Sequence, residues 1–522
     1  MRYCYLDADG NESPTLRVNP GDLVILKLKN EGSASSSSAK HSGGAEVSGC
    51  ESPIGQTIEG QTIVKQTMDM QAESTNLHFH GLMIPPTCHA DEVIKTAIPS
   101  QAAPFEYRFR IPLRQPPGLY WYHPHPHGHS EEQVLGGASG ALIVEGIENF
   151  NFQVAALPER LIVIRDQTRI STKISPVNPI PPSKDLSVNF VPVLYPDYAP
   201  AVIRTKPMQR ELWRVLNAAA DTSIDLRLLM DGKWQSMGLV SVDGVPLGYG
   251  GNGKNGQVEW RQDIPIPPGG RAEFLFNSPA LGADMRLLTS GIDTAPDRED
   301  EPNFAALRSP APSSAVPPQD VMSIPDDDDY TPPRWIAKIV AATDAAETTS
   351  VIPRPSSHLH RQVLPPLTAP HFVPHTVRAR KLYFSEKVMD QKNPRTSTIF
   401  YITEEGHEPA AFDPSAPPNI TVRQGGVEDW VIENRSQEIH TFHIHQTHFL
   451  LLERDGNAVD EPYLRDGVAV PYWDGVSKEY PSVKIRIDFR DPEIIGTFPY
   501  HCHILQHEDG GMMGTIQVVS AK

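Results

Sequence analysis

The sequence predicts an all-β protein of three similar domains in series. An apolar strand that ends in asparagine recurs three times, over residues 22–30, 211–217 and 428–434, at intervals of domain length. The 51 prolines and 37 glycines favour many turns over long helices. A chain of 522 residues also fits about three domains of ordinary size.

The first domain is expected over residues 1–148. Apolar and polar residues alternate from Leu23 to Leu28, which is the period of a half-buried strand. Residues 32–49 are rich in Ser, Gly and Ala, so we expect a mobile loop there.

The second and third domains are expected over residues 149–345 and 346–522. In the second, a Pro-Pro-Gly-Gly turn at 267–270 leads into a strand at 272–276, and residues 296–335 are predicted to form a solvated linker. In the third, Lys484 to Phe489 alternates with strand period.

The bulk composition excludes some classes of function. A net charge of −18 disfavours nucleic-acid binding, which needs clustered Lys and Arg. No apolar stretch reaches the length of a membrane span, so none is expected. The first residues contain no apolar signal-peptide core, and this is compatible with a cytoplasmic protein or with a leader that has been removed.

Four cysteines are present: Cys4, Cys50, Cys88 and Cys502. If Cys502 is a metal ligand, the other three can form at most one disulfide and leave one thiol. Cys50–Cys88 is the favoured pair, because both residues lie in the first domain outside its expected strands.

Four His-x-His pairs carry most of the chemical information. They form two sets, at 78/80 and 123/125 near the N-terminus and at 443/445 and 501/503 near the C-terminus. The segments 118–125 and 496–503 align without a gap and begin at equivalent glycines. A single His-x-His pair is usually ordinary strand composition, but four in matched contexts predict one polynuclear metal site built from two related domains.

Cys502 lies between two of these histidines. Because alternate residues of a strand point to opposite faces, His501 and His503 are expected to face one site and Cys502 another. His507 follows five residues after Cys502, Met512 follows ten after it, and His440 precedes the 443/445 pair. A thiolate, two imidazoles and a weak thioether form the blue-copper arrangement, which transfers single electrons.

These motifs resemble those of the multicopper oxidase family, which includes laccases and cuprous and ferrous oxidases. The resemblance covers both ends of the chain and implies three cupredoxin-like Greek-key β-sandwiches. It also implies four copper ions, one of type 1, one of type 2 and two of type 3, with the trinuclear cluster between domains 1 and 3. The implied ligands are His440, Cys502, His507 and Met512 for type 1; His78 and His443 for type 2; and His80, His123, His125, His445, His501 and His503 for type 3.

Some positions have competitors. His127 and His129 continue the alternation of His123 and His125 and could compete with them as ligands, although Pro126 and Gly128 should break the strand before them. Met513 competes with Met512 as the axial ligand. Zinc could occupy single histidine pairs, but it would not explain a cysteine between two imidazoles.

Reduction of dioxygen also consumes protons, so acidic groups are expected near the cluster. The resemblance implies Glu508 and Asp91, with Glu92 as a competitor of Asp91. Ordinary solvated carboxylates are the alternative interpretation for both.

The function that the resemblance implies is a laccase-like oxidation of phenols or aryl amines coupled to reduction of O2. Electrons are expected to enter at an exposed edge of His507 or His440. The expected partners are a small-molecule reductant and O2, for a monomer that is secreted or periplasmic. A ferrous, cuprous or manganous ion oxidase is the alternative, distinguished by carboxylates beside His440 or His507, and a blue-copper electron carrier is a third hypothesis.

Overall fold

The computed structural model describes residues 2–32, 49–50, 74–173, 181–249, 256–295, 331–345, 377–390, 397–461 and 463–521. Most of the expected loop at 32–49 and of the expected linker at 296–335 lies outside these ranges. The described residues are mainly strands that form three units, and the predicted all-β class is confirmed. The boundaries after residues 148 and 345 stay predictions.

The N-terminal unit packs a four-stranded sheet, in the order β1-β6-β5-β3, and the pair β2-β4 around Phe79, Tyr107 and Phe109. Its strands are β1 (Leu16–Val18), β2 (Leu23–Leu28), β3 (His78–His80), β4 (Phe105–Arg110), β5 (Gly118–His123) and β6 (Gly140–Val144).

The middle unit has a six-stranded and an eight-stranded sheet with an apolar core between them that includes Trp213 and Phe274. Its strands are β7 (Glu159–Thr168), β8 (Lys184–Val188), β9 (Val191–Val193), β10 (Ala201–Thr205), β11 (Arg210–Asn217), β12 (Ile224–Met230), β13 (Lys233–Gln235), β14 (Met237–Val242), β15 (Val245–Pro246), β16 (Glu259–Arg261), β17 (Ile264–Ile266), β18 (Arg271–Asn277), β19 (Met285–Thr289) and β20 (Arg334–Ala341).

The C-terminal unit has a seven-stranded and a five-stranded sheet around a core that includes Trp430 and Phe442. Its strands are β21 (Arg378–Val388), β22 (Thr398–Glu404), β23 (Ile420–Arg423), β24 (Val427–Asn434), β25 (His440–Ile444), β26 (Phe449–Arg454), β27 (Asn457–Ala458), β28 (Leu464–Arg465), β29 (Gly467–Val470), β30 (Ser482–Asp488), β31 (Gly496–Cys502) and β32 (Met513–Val519).

Helices are short throughout the described ranges. They are α1 (Ser130–Leu135), α2 (Leu505–Asp509) and 3-10 turns at Ile147–Asn149, Phe152–Val154 and Pro492–Ile494. None of the helices in these ranges is long and apolar enough to cross a membrane.

The repeated asparagine has a structural role at the end of its strand. Strands β11 and β24 end at Asn217 and Asn434 as predicted, whereas β2 ends two residues before Asn30. Each side-chain amide donates a hydrogen bond to a backbone carbonyl: Asn30 to Ile98, Asn217 to Ile266 and Asn434 to Glu438. The repeat therefore marks the point where each strand is tied to a neighbouring segment of the chain.

The disulfide Cys50–Cys88 is present, as favoured from the sequence. Cys4 is free and exposed, and Cys502 is free and buried.

Candidate metal centre

Strand pairing brings the histidine pairs together. In the N-terminal unit, His78 of β3 lies opposite His123 of β5. In the C-terminal unit, His443 of β25 lies opposite His501 of β31. His80 is the last residue of β3, and the other three partners lie one or two residues beyond the ends of their strands: His125, His445 and His503. All eight imidazoles are buried.

The two sets meet across the boundary between the N-terminal and C-terminal units. His125 Nε2 lies 3.3 Å from His501 Nε2, which lies 3.1 Å from His445 Nε2. The His78 ring stacks on that of His445 with centroids 3.8 Å apart, and the His80 ring stacks on that of His443 at 3.9 Å. Eight imidazoles from opposite ends of the chain thus surround one small volume.

Many of the inward nitrogens have no hydrogen-bond partner, and this tests whether the centre fits metal ions. Burying an unpaired polar atom costs about 1–3 kcal/mol, so a group of them needs a ligand. Ring nitrogens of this kind are found on six histidines: His78 Nε2, His80 Nδ1, His123 Nε2, His443 Nε2, His445 Nδ1 and both nitrogens of His503. Four groups of these side chains have ligand atoms close enough together to hold a metal ion. Three groups contain only histidines and the fourth includes a carboxylate: His78–His443–His445, His78–His80–His123, His125–His445–His501 and His80–His443–Asp466. The side chains present therefore fit several metal ions.

The opposite ring nitrogens are held by the protein. His78 Nδ1 lies 3.0 Å from Asp91 Oδ2, and His123 Nδ1 lies 3.0 Å from the Pro124 carbonyl. A ring nitrogen that donates its proton to an oxygen leaves the other nitrogen unprotonated, which is the form that binds metal.

Burial also favours the neutral form of these imidazoles. Desolvation is the largest cause in each case, and it lowers the pKa of His125 to about 3 and that of His443 to about 4. The pKa of His501 and that of His503 are also well below the usual value. These imidazoles are thus neutral, and able to bind a cation, across the physiological pH range.

A second cluster surrounds Cys502. Its Sγ lies 3.6 Å from His440 Nδ1 and 3.8 Å from His507 Nδ1, and these two nitrogens are 2.9 Å apart. The backbone amide of Thr441 donates to Cys502 Sγ at 3.4 Å. Met512 is fully buried in the apolar core of the C-terminal unit, which also contains Cys502. Its backbone carbonyl accepts a hydrogen bond from the Cys502 amide.

The Cys502 cluster lies directly beside the eight imidazoles. Cys502 belongs to one group of metal-binding side chains, while its chain neighbour His501 belongs to the other. Alternation along the end of β31 produces this division, because successive side chains point to opposite faces.

The expected exposed edge of His440 or His507 is absent, because both rings are buried. His440 Nε2 is hydrogen-bonded to Ser436 Oγ at 2.6 Å, and His507 Nε2 lies 3.3 Å from Glu438 Oε2. The Glu438 side chain is 40% exposed, so this carboxylate connects the cluster to solvent.

Both predicted acidic groups lie at the imidazole cluster. Asp91 is buried, accepts from the Phe79 amide and contacts Gln446, and burial raises its pKa to about 7. Glu508 is buried 3.4 Å from His125 Nδ1 and 3.3 Å from His501 Nδ1, and burial raises its pKa well above the usual value. Each carboxyl group can therefore hold a proton near neutral pH.

The competing side chains lie elsewhere. Glu92 accepts from the Lys95 amide and from Thr96. His127 packs edge-on against Phe412, and neither His127 nor His129 belongs to a metal-binding group among the described residues.

Four residues at the two clusters are not indicated by any sequence motif: Asp466, Arg271, Ser436 and Glu438. Asp466 contacts His80, and Arg271 contacts Asp466. A partial signal existed for Ser436, because its amide and hydroxyl donate to Asn434, the asparagine of the strand repeat. No comparable signal marked the other three, which reach the centre from loops and from the middle unit.

Comparisons with known proteins agree with this geometry. Two multicopper oxidase family models match residues 52–149 and 386–522. The multicopper oxidase mco of Staphylococcus aureus is 24% identical over 453 residues, which cover 85% of this chain and 77% of that protein.

Solved structures of similar fold include a McoA multicopper oxidase variant from Aquifex aeolicus, with a TM-score of 0.63, 17% identity and coverage of 99% of this chain and 91% of the other. A multicopper oxidase from Campylobacter jejuni, described as a metallo-oxidase, has a TM-score of 0.59 and 19% identity and covers 97% and 85%. The three units are thus cupredoxin-like domains. With family models matching both halves of the histidine centre, the chain belongs to the copper-dependent multicopper oxidase family.

Proposed function

We propose that this protein couples the one-electron oxidation of phenolic or aryl-amine donors to the four-electron reduction of O2 to water. The observation that carries the proposal is the position of Cys502, beside His440 and His507 and one residue away from the eight-imidazole cluster. Bound copper would supply the one-electron redox steps and the place where O2 is reduced.

The proposed ligands follow the two clusters. His440, Cys502, His507 and Met512 would hold the type 1 ion, and His78 and His443 the type 2 ion. The type 3 pair would be held by the remaining six histidines: His80, His123, His125, His445, His501 and His503. The thiolate and the imidazoles on either side of it then form a short covalent path for electrons from the first cluster to the second.

Protons would come from the two buried carboxyl groups. Glu508 lies against His125 and His501, and it accepts a hydrogen bond from Ser130 Oγ at 3.2 Å. Asp91 lies at a different imidazole of the cluster, that of His78. We propose that both donate protons while O2 is reduced, since each can be protonated near neutral pH.

Glu438 lies beside His507, where a carboxylate was expected for a metal-ion oxidase, but a carboxylate at this place can also serve an organic donor. A phenol or aryl amine loses a proton when it loses an electron, and an exposed carboxylate beside His507 can accept that proton where the electron enters. We therefore propose that Glu438 orients the donor and acts as its base.

Oxygen uptake by copper-loaded protein with a phenolic donor tests this proposal. Glu438→Gln should lower kcat for the phenol about 100-fold, the usual contribution of a general base. Glu408→Gln, at an exposed glutamate of the same unit, should leave kcat unchanged. No oxygen uptake by protein shown to hold its copper would contradict the oxidase function and favour an electron carrier.

Oxidation of a ferrous or cuprous ion is the second candidate. A second carboxyl group, Glu386, lies near enough to Glu438 and His507 to interact with both, and burial raises its pKa to about 7. Two carboxyl groups at an electron-entry site suit a cation, and the C. jejuni neighbour is described as a metallo-oxidase. For such a substrate, Glu438→Gln should raise KM about tenfold, while phenol oxidation should be slow in the unsubstituted protein.

We also propose a monomer in an oxidising compartment, secreted or periplasmic. All the proposed ligands come from one chain, and the Cys50–Cys88 disulfide is of the kind that persists outside the reducing cytoplasm. Fractionation of the source cells and light scattering of the copper-loaded protein test these two points.

A further inference from the structure

The middle unit reaches the histidine centre although it contributes no imidazole. Its turn at residues 267–270 packs so closely on His503 that a Cβ on Gly269 would lie 2.7 Å from the ring. The next residue after the turn is Arg271, the first residue of β18, whose side chain is completely buried.

The Arg271 guanidinium joins all three units. Nη1 and Nη2 donate to the two carboxylate oxygens of Asp466, at 2.8 Å and 2.6 Å. The remaining bonds go to backbone carbonyls of Leu119 at 3.2 Å, Gly269 at 3.1 Å and Asp243 at 2.9 Å. Every N–H of the guanidinium thus has an acceptor, so the position of the paired carboxylate is fixed.

Asp466 holds two neighbouring imidazoles. Its Oδ1 lies 3.1 Å from His80 Nε2, and its backbone carbonyl lies 2.8 Å from His443 Nδ1. The opposite nitrogens, His80 Nδ1 and His443 Nε2, are the buried atoms without a partner. One residue therefore determines which nitrogen of each ring is available to a metal ion.

We propose that Arg271 is a positioning residue of the metal centre, which acts through Asp466 to fix the orientation and tautomer of His80 and His443. The inference rests on the proposed function only in that the centre binds copper. Without the guanidinium, the Asp466 carboxylate would be buried without its ion-pair partner and would have to move. This movement releases the hold on the two imidazoles.

Arg214 provides a matched control. It is also fully buried in the middle unit and pairs with two carboxylates, Glu159 and Glu273. Its hydrogen bonds reach no imidazole of the centre. Both arginines contribute to folding, but only Arg271 is expected to affect copper.

The test compares Arg271→Gln with Arg214→Gln after loading with copper. The readouts are copper per chain, the electron paramagnetic resonance spectrum, the blue absorption of the Cys502 cluster and the Tm. We expect Arg271→Gln to bind the copper held by His443 (type 2) and by His80 (type 3) about 10–100-fold more weakly, with less copper per chain, a changed resonance signal and unchanged blue absorption. Arg214→Gln should lower the Tm and keep its copper and its spectrum.

Full copper occupancy and an unchanged type 2 signal in Arg271→Gln would overturn the inference. If that variant does not fold, Asp466→Asn decides, because it keeps the side-chain shape while removing the charge. Loss of type 3 or type 2 copper in Asp466→Asn, with the blue absorption retained, supports the proposal, and full retention overturns it. These readouts do not require turnover, so a protein that binds copper but consumes no O2 would refute the proposed function without refuting this inference.

Discussion

Two imidazoles of the centre, those of His78 and His80, give one nitrogen to the protein and leave the other for a metal ion. His78 gives one nitrogen to Asp91 and presents the other, unpaired, to the cluster. In His80 the two nitrogens have exchanged roles: Nε2 contacts Asp466, and Nδ1 is the unpaired nitrogen. The geometry of each ring is therefore decided by the oxygen behind it as well as by the strand that carries it.

Gly81, directly after β3, shows how little space this arrangement leaves. Its φ is +83°, and a Cβ would lie 2.5 Å from both Arg271 Nη2 and Asp466 Oδ2. We expect Gly81→Ala to lower the free energy of unfolding by more than the 1–3 kcal/mol usual for a strained backbone position, because the ion pair must also move.

Gly282→Ala is the control for this prediction. Gly282 has the same φ of +83° with no atom within 4 Å of the added Cβ, so only backbone strain applies. Calorimetry and copper analysis of both variants provide the comparison. Equal losses of stability in the two variants, with copper retained in both, would contradict the prediction.

At the scale of strands, an ionic network joins the N-terminal and middle units. Glu159, the first residue of β7, lies 2.8 Å from Arg17 of β1 and 3.1 Å from Arg214 of β11. Arg214 also pairs with Glu273, which accepts from the Leu119 amide of β5 at 3.1 Å. Strands of different units are therefore connected by paired charges next to the apolar contacts of Trp121 and Leu216.

This network predicts an acid-sensitive contribution to stability. Burial acts to raise the pKa of Glu159, but Arg214 and Arg17 together outweigh burial and bring it to about 2. A lowered pKa stabilises the fold above the unfolded value of about 4.5, and that contribution is lost as the pH falls toward about 2. At neutral pH it amounts to about 3 kcal/mol.

Glu159→Gln should therefore lower the Tm at neutral pH and make the decrease between pH about 4.5 and about 2 shallower. Thermal unfolding measured across this range checks the prediction. Glu12→Gln, which breaks an exposed ion pair with Arg2, should change little at any pH. Parallel pH profiles for Glu159→Gln and the unsubstituted protein would refute it.

The strands and the histidine pairs could be predicted because their signals are local. Alternating apolar and polar residues indicated β2 and β30. The alternation of side chains between the two faces of a strand indicated that Cys502 and its neighbouring histidines belong to two different clusters. Arg271 and Asp466 could not be found, because they lie far apart in sequence and meet only through packing of the middle and C-terminal units. The prediction of an exposed edge on His440 or His507 was wrong for a similar reason. Nothing in the sequence next to His507 indicates that its ring is buried beside Glu438.

For the molecule as a whole, copper should contribute to folding as well as to function. The unpaired nitrogens of the N-terminal unit and those of the C-terminal unit come together only when the two units are docked. A ligand that binds only the folded form stabilises it, by about 4 kcal/mol per site when it is present at 1,000 times its Kd.

We therefore expect a higher Tm for the copper-loaded protein than for protein treated with a chelator. Differential scanning calorimetry of the two forms, with copper measured in each, checks this. Substitution of His443 by Ala should reduce the difference, whereas substitution of the exposed His407 by Ala should not. The same Tm with and without copper would show that docking of the units is independent of the metal.

The order of the histidines along the chain has a consequence for biosynthesis. A polypeptide emerging from the ribosome presents His78, His80 and His123 early, and these three already form one of the metal-binding groups. Among the described residues, every other group needs residues from 440 onward, which are translated after more than four-fifths of the sequence. Correct metal binding therefore requires the complete chain. A nascent chain that bound an ion at His78, His80 and His123 would hold it in a site whose other ligands have not yet been synthesised.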